Sequence, residues 1–242
     1  MTPISRRTVL TAPPLVALGV LLAAFIAVLT SNVLASSGLA TMDPEVSGWA
    51  VENRNGVLTP AARTISNCGD TLSMTILAVI VCAALLHVRD RLHAGLVAVT
   101  ALGSGLIVVI AKRLVGRERP PVADRLAVEH SLSYPSGHST GTFVVVGIVA
   151  IVLIPKLRQP VARAGAALLA VLFVATVGVS RVYLGVHWPT DVLAGWAIGA
   201  LWILLCLVVF HYLTPRVRAA ATVDSCREQN RSPTGSSSRS TR

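Results

Sequence analysis

The sequence contains six long apolar runs separated by short polar or basic stretches. A helix needs roughly 20 mainly apolar residues to cross the hydrocarbon core of a bilayer, and the runs have about that length. Only 13% of the residues are charged, whereas a soluble domain typically has about 25%. The pattern predicts an all-α, polytopic membrane protein with six transmembrane helices in a bundle. The predicted spans cover residues 15–35, 71–88, 94–115, 139–154, 164–183 and 191–213.

The first apolar run has two interpretations. Arg6 and Arg7 precede it, as in a secretory signal peptide, and small residues at 35–37 leave cleavage open. The run is nevertheless longer than a signal-peptide core, and its length favours a retained span. We therefore treat residues 1–39 as an N-terminal segment that carries the first transmembrane helix.

Residues 36–69 are polar and irregular, and one short helix is expected there. Asp43-Pro44-Glu45 is typical of a helix start, with a capping Asp, a proline in the first turn and an acid at the positive end. Such a helix would lie in the membrane interface, anchored by Trp49, and an ordinary loop is the alternative. Asp70 is expected to cap the second span. Residues 214–242 are rich in Arg, Ser and Thr and predict a disordered, basic, cytoplasmic tail.

The distribution of basic residues predicts the orientation in the membrane. Six spans put both termini on one side, together with the short loops near residues 89 and 156. That side carries 13 Lys and Arg, against 8 on the other, so the positive-inside rule places both termini in the cytoplasm. The loops at 36–69, 111–138 and 180–191 then share the extracytoplasmic face. Because the net charge of +10 lies mostly in loops and tail, it does not indicate nucleic acid binding.

The four cysteines show neither a CxxC pair nor a His/Cys metal spacing. Two of them fall inside apolar runs. The cysteines therefore indicate neither a disulfide framework nor a zinc site, and nothing else in the sequence indicates a cofactor.

The stretch 180–191 contains the first candidate for chemistry. Pro189 suits the first turn of a helix, and a helix beginning there places Asp191 one turn in, on the side of His187. A carboxylate in that position can hold one ring nitrogen of the imidazole and leave the other free to attack or to move a proton. Arg181 adds a fixed positive charge. The combination indicates chemistry on an anion, most simply a phosphate.

Two further stretches fall on the same predicted face. One runs from Lys112 to Arg119 and Pro120. The other, residues 134–138, leads straight into the fourth span, so Ser136, Gly137 and His138 would stand at a helix N-terminus. Free amide groups and the positive end of the helix dipole make such a place an anion site.

Together the three stretches, K-x6-R-P, P-S-G-H and S-R-x5-H-x3-D, resemble the type 2 phosphatidic acid phosphatase (PAP2) superfamily, which also includes bacterial acid phosphatases and vanadium haloperoxidases. All three motifs are complete and occur in the family's order. The resemblance covers about residues 40–213 and implies a phosphatase domain of that extent.

The resemblance implies a role for each motif residue. His187 would be the nucleophile that becomes a phosphohistidine, Asp191 would orient it, and His138 would be the general acid. The phosphate oxygens would be bound by Lys112, Arg119, Ser136, Gly137 and Arg181. The implied activity is metal-independent hydrolysis of a lipid phosphate or pyrophosphate, such as undecaprenyl pyrophosphate, phosphatidic acid or phosphatidylglycerol phosphate.

Other readings of these residues stay open from the sequence. Taken singly, Lys112 and Arg119 could be interfacial anchors, His138 a cap, and His187 with Asp191 a structural hydrogen bond. A phosphotransferase, a haloperoxidase and a non-enzymatic lipid binder or transporter are the alternative functions. The sequence assigns no role to Arg113, Arg117, Arg125 and Tyr183, and it does not determine the oligomeric state.

Overall fold

The computed structural model describes residues 12–231, which form eight α-helices and contain no β-strand. The predicted all-α class is therefore confirmed. The helices are α1 (Ala12–Leu34), α2 (Asp43–Glu52), α3 (Leu58–Cys68), α4 (Thr71–His87), α5 (Arg91–Val115), α6 (Gly137–Leu153), α7 (Pro160–Tyr183) and α8 (Pro189–Arg231).

Five of these helices, α1, α5, α6, α7 and α8, are each long and apolar enough to cross a bilayer. The remaining span is a pair, α3 and α4, which meets the same criterion jointly and is bent by 45° at a short break. Counting that pair as one broken span gives six spans, the number predicted, but the second begins in α3, within the segment predicted to be polar and irregular.

The break between α3 and α4 packs closely against α6 and α7. A Cβ on Gly69 would lie 2.5 Å from the Val177 side chain of α7 and 3.0 Å from Oγ1 of Thr142 on α6. The Thr142 hydroxyl donates to the Gly69 carbonyl at 3.1 Å. Asp70 then accepts from the Ser73 amide at 2.6 Å, so the predicted cap of the second span is confirmed.

The segment 36–69 contains more structure than the sequence suggested, because both α2 and α3 lie in it. The prediction that Asp43 caps a helix was wrong. Met42 occupies the cap position of α2, and Asp43 is the first residue of the helix, with only 1% of its surface exposed. Its carboxylate binds groups from distant segments instead of a local amide.

The last helix also runs further than expected. The structure continues α8 to Arg231, so the predicted disorder is corrected for residues 214–231. Residues 216–221 are Arg, Val, Arg and three Ala, most of them good helix formers. Residues 1–11 and 232–242, with the rest of the predicted tail, lie outside the described part of the chain. The chain forms two compact units, one ending at Cys206 and the other beginning at Leu207.

One end of the first unit gathers the segments that carry the three motifs. The Ser133 amide donates to the Arg117 carbonyl at 2.8 Å, which ties the loop before α6 to the loop after α5. The Ser136 amide donates to the Asp191 carbonyl at 3.0 Å, which ties the start of α6 to the first turn of α8. The three sequence stretches therefore meet at a single place.

Candidate active site

His187 and Asp191 form a buried pair at the start of α8. Nδ1 of His187 lies 3.3 Å from Oδ2 of Asp191. The Trp188 amide donates to the same oxygen at 3.0 Å. The two side chains are 1% and 0% exposed, so the structure brings them together as the four-residue spacing predicts.

Arg119 determines the tautomer of His187. Nη1 of Arg119 lies 3.1 Å from Nε2 of His187. A guanidinium only donates, so Nε2 must accept and the ring proton must sit on Nδ1, facing Asp191. The nitrogen without a proton is thus Nε2, and its lone pair accepts from the guanidinium of Arg119.

Burial keeps the His187 ring neutral. Desolvation lowers the pKa of His187 to about 4, although the hydrogen bond and the charge of Asp191 act to raise it. The charges of Arg119 and Arg181 contribute to the lowering of this pKa. The ring is therefore a neutral imidazole near pH 7, which is the form that can act as a nucleophile.

Arg119 itself is anchored by carbonyl groups. Its Nε donates to the Ser131 carbonyl and its Nη1 to the Val186 carbonyl, both at 2.6 Å. Burial lowers the pKa of Arg119, but the guanidinium remains charged in any protein context. The loop before α6 and the turn before His187 are thus held by one side chain.

A carboxylate that the sequence analysis did not single out bridges two of the predicted phosphate ligands. Glu129 pairs with Nη2 of Arg119 at 3.3 Å and with Nη2 of Arg181. Burial alone would raise the pKa of Glu129, but Arg181 and Arg119 outweigh it and hold the pKa below its usual range. The two guanidinium groups are therefore close enough to share one oxyanion.

Arg181 is the more deeply buried of these two cations, with 3% of its side chain exposed. Its Nη1 donates to Oγ of Ser66, on α3, at 2.5 Å. Its Nε is buried and has no hydrogen-bond partner among the described residues. An unpaired donor at this position is available to a ligand that enters the site.

Lys112 and His138 complete the set of predicted titratable residues. The Lys112 ammonium donates to the Leu132 carbonyl and lies within electrostatic range of Arg119 and Arg181. His138 lies in the first turn of α6, within electrostatic range of Arg181 and His187. Its ring has no hydrogen-bond partner among residues 12–231, so both its nitrogens are open to a ligand.

The start of α6 uses Ser136 for capping. Oγ of Ser136 accepts from the Ser139 amide at 3.3 Å and from the Ser139 hydroxyl at 3.0 Å, and the side chain is fully buried. Its contact with phosphate therefore stays a prediction. Gly137 is the first helical residue, and the amides of a first turn have no partner within the helix.

Three residues outside the predicted set support Asp191. Arg117 donates from Nη1 to Oδ1 of Asp191 at 2.7 Å, and Asp43 pairs with Nη2 of Arg117 at 2.5 Å. The Ser133 hydroxyl donates to Oδ2 of Asp191. Arg117 lies between two motif residues in the sequence, but no local pattern identifies Asp43 or Ser133.

The turn before His187 depends on glycine. Gly185 has φ +68°, and a Cβ there would lie 2.3 Å from the Asp124 carbonyl oxygen. Arg54 donates to that oxygen at 2.7 Å and to the Tyr183 carbonyl at 3.0 Å. Tyr183, which the sequence left without a role, therefore belongs to the scaffold of this turn.

A polar cavity of about 250 Å³ lies over the two charged groups Arg119 and Glu129. Arg125, also left open by the sequence, contributes to its lining, whereas Arg113 is exposed outside it. The remaining lining residues are Glu118, His130, Ser131 and Leu132.

Within residues 12–231, no group of three or more His, Cys, Asp or Glu side chains could hold a metal ion.

Comparisons with known proteins identify the family. The sequence profile of the PAP2 superfamily matches residues 92–215, slightly more than half of the chain. The chain is also 33% identical over 172 residues to phosphatidylglycerophosphatase B of Bacillus subtilis, covering 69% of this chain and 82% of that protein. The chain belongs to the PAP2 superfamily.

Further relatives agree with this membership. Decaprenylphosphoryl-5-phosphoribose phosphatase of Mycobacterium tuberculosis is 36% identical over 156 residues, or 62% of this chain and 79% of that protein. The crystal structure of a transmembrane PAP2-type phosphatidylglycerolphosphate phosphatase from Bacillus subtilis superimposes with a TM-score of 0.73 at 29% identity. That superposition covers 81% of this chain and 97% of that one.

The PAP2 relatives also establish the general activity. They are named phosphatases of lipid phosphates, and the solved PAP2 structure is a transmembrane protein. The chain is therefore a multi-span membrane enzyme that hydrolyses a phosphate ester of a lipid. The resemblance that the three motifs carry is confirmed, and the phosphatase interpretation prevails over the non-enzymatic alternative.

Proposed function

We propose that this PAP2 enzyme hydrolyses a lipid phosphate or pyrophosphate monoester through a phosphohistidine formed on Nε2 of His187. The observation that supports this most directly is the His187 tautomer. Asp191 lies on the Nδ1 side at 3.3 Å, and Nε2 points at the Arg119 guanidinium at 3.1 Å. A neutral imidazole with its lone pair aimed beside a cation is arranged to meet an anionic phosphoryl group.

The first step transfers the phosphoryl group to the enzyme. The lone pair on Nε2 of His187 forms the N–P bond while the bond from phosphorus to the leaving oxygen breaks. His138 gives that oxygen a proton, a contribution worth about 10²–10⁴-fold in rate. Asp191 stabilises the positive charge that develops on the ring. The dephosphorylated lipid leaves.

The second step releases phosphate. His138, now neutral, takes a proton from a water molecule as the water oxygen bonds to phosphorus. The N–P bond breaks, its electron pair returns to Nε2 of His187, and inorganic phosphate departs. Both histidines end in the states in which they began.

The proposed phosphate cradle consists of Lys112, Arg119 and Arg181, with the hydroxyl of Ser136 and the amide of Gly137. Three fixed cations neutralise the charge on the equatorial oxygens, which is the main requirement of phosphoryl transfer. Arg119 and Arg181 both form ion pairs with the Glu129 carboxylate, which supports their assignment as joint ligands of an oxyanion. The cradle needs neither a metal ion nor another cofactor.

The substrate class follows from the family and from the relatives. Those relatives are named for phosphatidylglycerophosphate and for decaprenylphosphoryl-5-phosphoribose, and both names denote a phosphate carried by a lipid. We therefore propose phosphatidylglycerol phosphate, phosphatidic acid and undecaprenyl pyrophosphate as the substrates to compare. The bilayer holds the lipid tail while the headgroup enters the site.

The test is phosphate release from these three lipids by purified protein in EDTA. We expect turnover without added metal, loss of at least about 10³-fold in His187→Ala, and normal turnover in His87→Ala, whose exposed side chain lies at the end of α4. Brief incubation with ³²P-labelled lipid and a rapid quench should trap an acid-labile phosphoenzyme. Full turnover in His187→Ala would exclude this nucleophile.

We further propose that the site lies on the extracytoplasmic face and that both termini are cytoplasmic. In a background with the four native cysteines replaced by serine, Gly56→Cys marks the α2–α3 connection and Arg158→Cys the α6–α7 connection. A membrane-impermeant maleimide added to intact cells should label position 56 and spare position 158. The reverse pattern would invert the topology.

A further inference from the structure

We infer that Asp43 and Arg117 act as a positioning pair that fixes both the orientation and the available charge of Asp191 behind His187. Neither residue belongs to the predicted catalytic set. The inference rests on the proposed role of His187 as nucleophile, and it assigns a function to α2, a helix outside the three motifs.

Arg117 spans two buried carboxylates. Its Nη1 lies 2.7 Å from Oδ1 of Asp191, and its Nη2 lies 2.5 Å from Oδ2 of Asp43. The two carboxylates are 0% and 1% exposed. Since Oδ2 of Asp191 faces His187, the guanidinium holds the opposite oxygen and so sets the plane of the carboxylate.

Asp43 also holds the residue next to Asp191. The Thr190 amide donates to Oδ1 of Asp43 at 3.0 Å, and the Thr190 hydroxyl donates to Oδ2 at 2.5 Å. The same hydroxyl accepts from Nη1 of Arg117 at 2.7 Å. Asp43 therefore fixes the first turn of α8 by two routes, through Arg117 and through the backbone at Thr190.

The charges of Asp43, Asp191 and Arg117 do not cancel. Asp43 and Asp191 supply two negative charges, and Arg117 supplies one positive charge. The net charge of −1 is left to face the His187 ring, which becomes positive when it bears the phosphoryl group. Without Asp43, Arg117 would cancel Asp191 at close range in a poorly solvated site. The cationic intermediate would then lose its counter-charge.

Asp43→Asn tests this inference in the lipid phosphatase assay. Because the ground-state ring is neutral, the loss should fall on kcat, by about 10–100-fold, with KM within about twofold of wild type. Glu45→Gln is the matched control, since Glu45 lies exposed in the same first turn of α2 and should leave both constants unchanged. Wild-type kcat in folded Asp43→Asn would overturn the inference.

A second substitution separates charge balance from mere scaffolding. Adding Arg117→Gln to Asp43→Asn removes the uncompensated cation, so kcat should recover several-fold relative to Asp43→Asn alone, yet stay below wild type because the contact of Arg117 with Asp191 is lost as well. A further fall in kcat would mean that Asp43 serves only to hold the loop, and would overturn the inference.

Two controls keep the result interpretable. If Asp43→Asn does not fold, as judged by thermal unfolding in detergent, Thr190→Val removes the hydroxyl that both residues share while leaving their charges. It should lower kcat by about 3–10-fold, and an unchanged kcat would overturn the inference.

His187→Ala in the same assay separates the proposal for the positioning pair from the proposal for the nucleophile. Turnover there would refute the nucleophile itself, whereas an inactive His187→Ala beside a fully active Asp43→Asn would refute only the positioning pair.

Discussion

Nη1 of Arg119 lies 3.1 Å from Nε2 of His187, so a guanidinium and an imidazole meet at the point where phosphorus is expected to arrive. This contact fixes the ring tautomer. In the complex, phosphate oxygens would compete for the same N–H groups. In the proposed mechanism, Arg119 thus prepares the nucleophile and then binds the substrate.

Replacing Arg119 with lysine should be severely damaging. Lysine keeps the charge but cannot reach the Ser131 and Val186 carbonyls and His187 at once, since its donors radiate from one nitrogen. We expect kcat/KM to fall by about 10²–10³-fold, the cost of losing an oxyanion-type donor. Steady-state phosphate release measures this. Arg113→Lys, at an exposed position near the end of α5, is the control, and an Arg119→Lys enzyme as active as that control would exclude a specific role for the guanidinium.

Replacing Glu129 with glutamine should strengthen product inhibition. The Glu129 carboxylate occupies guanidinium groups of Arg119 and Arg181 that phosphate is proposed to use, so the two anions compete. We expect the inhibition constant for inorganic phosphate to fall by about tenfold, the scale of one charge-assisted interaction. Glu52→Gln, at the exposed last position of α2, should leave it unchanged. Weaker inhibition in Glu129→Gln would show that the carboxylate does not compete.

The pH dependence of the reaction should reflect the low pKa that burial gives His187. Desolvation lowers the pKa of His187 to about 4, so the nucleophile is lost only when pH falls through about 4, not through the usual value near 6.5. The measurement is log(kcat/KM) against pH, corrected for substrate ionisation determined by ³¹P NMR. Asp191→Asn removes the groups that raise this pKa and should move the acid limb lower still. A limb near 6.5 assigned to His187 would contradict the prediction.

Removing the Ser133 hydroxyl should lower activity without unfolding the protein. That hydroxyl donates to Oδ2 of Asp191 and lies 3.4 Å from Nδ1 of His187. A hydrogen bond to a charged group contributes about 1.5–3 kcal/mol, so we expect Ser133→Ala to reduce kcat by about tenfold or more. Thermal unfolding in detergent should confirm that the variant is folded. Wild-type kcat would show that Trp188 and Arg117 suffice to hold Asp191.

Apart from the meeting of the three motifs, the features that could be predicted from the sequence depend on residues close together in the chain. Asp70 caps α4 through a residue three positions away, and His187 meets Asp191 across one helical turn. The six spans follow from apolar runs alone. In contrast, α3 mixes apolar residues with Thr, Asn and Arg, so its part in a broken span has no comparable signal.

The features that sequence missed depend on distant partners. Asp43 lies 147 residues from Thr190, Ser133 lies 58 residues from Asp191, and Glu129 lies 52 residues from Arg181. Neither the periodicity of the helices nor any of the three motifs includes Asp43, Ser133 or Glu129. Asp43 was assigned to the wrong partner for this reason, because its local pattern favoured a cap while the folded chain offered it a buried guanidinium.

Gly195 lies in α8, and a side chain at this position would contact the first turn of α6, which carries His138. A Cβ on Gly195 would stand 3.0 Å from the Ser136 carbonyl oxygen and equally close to Cβ of Ser139 and Oγ1 of Thr140. Any larger residue would require α6 to move away from α8, and would carry His138, the proposed proton donor, away from His187. A genetic screen for inactive enzymes should therefore recover position 195 beside the two histidines, although nothing at that position ever meets the lipid.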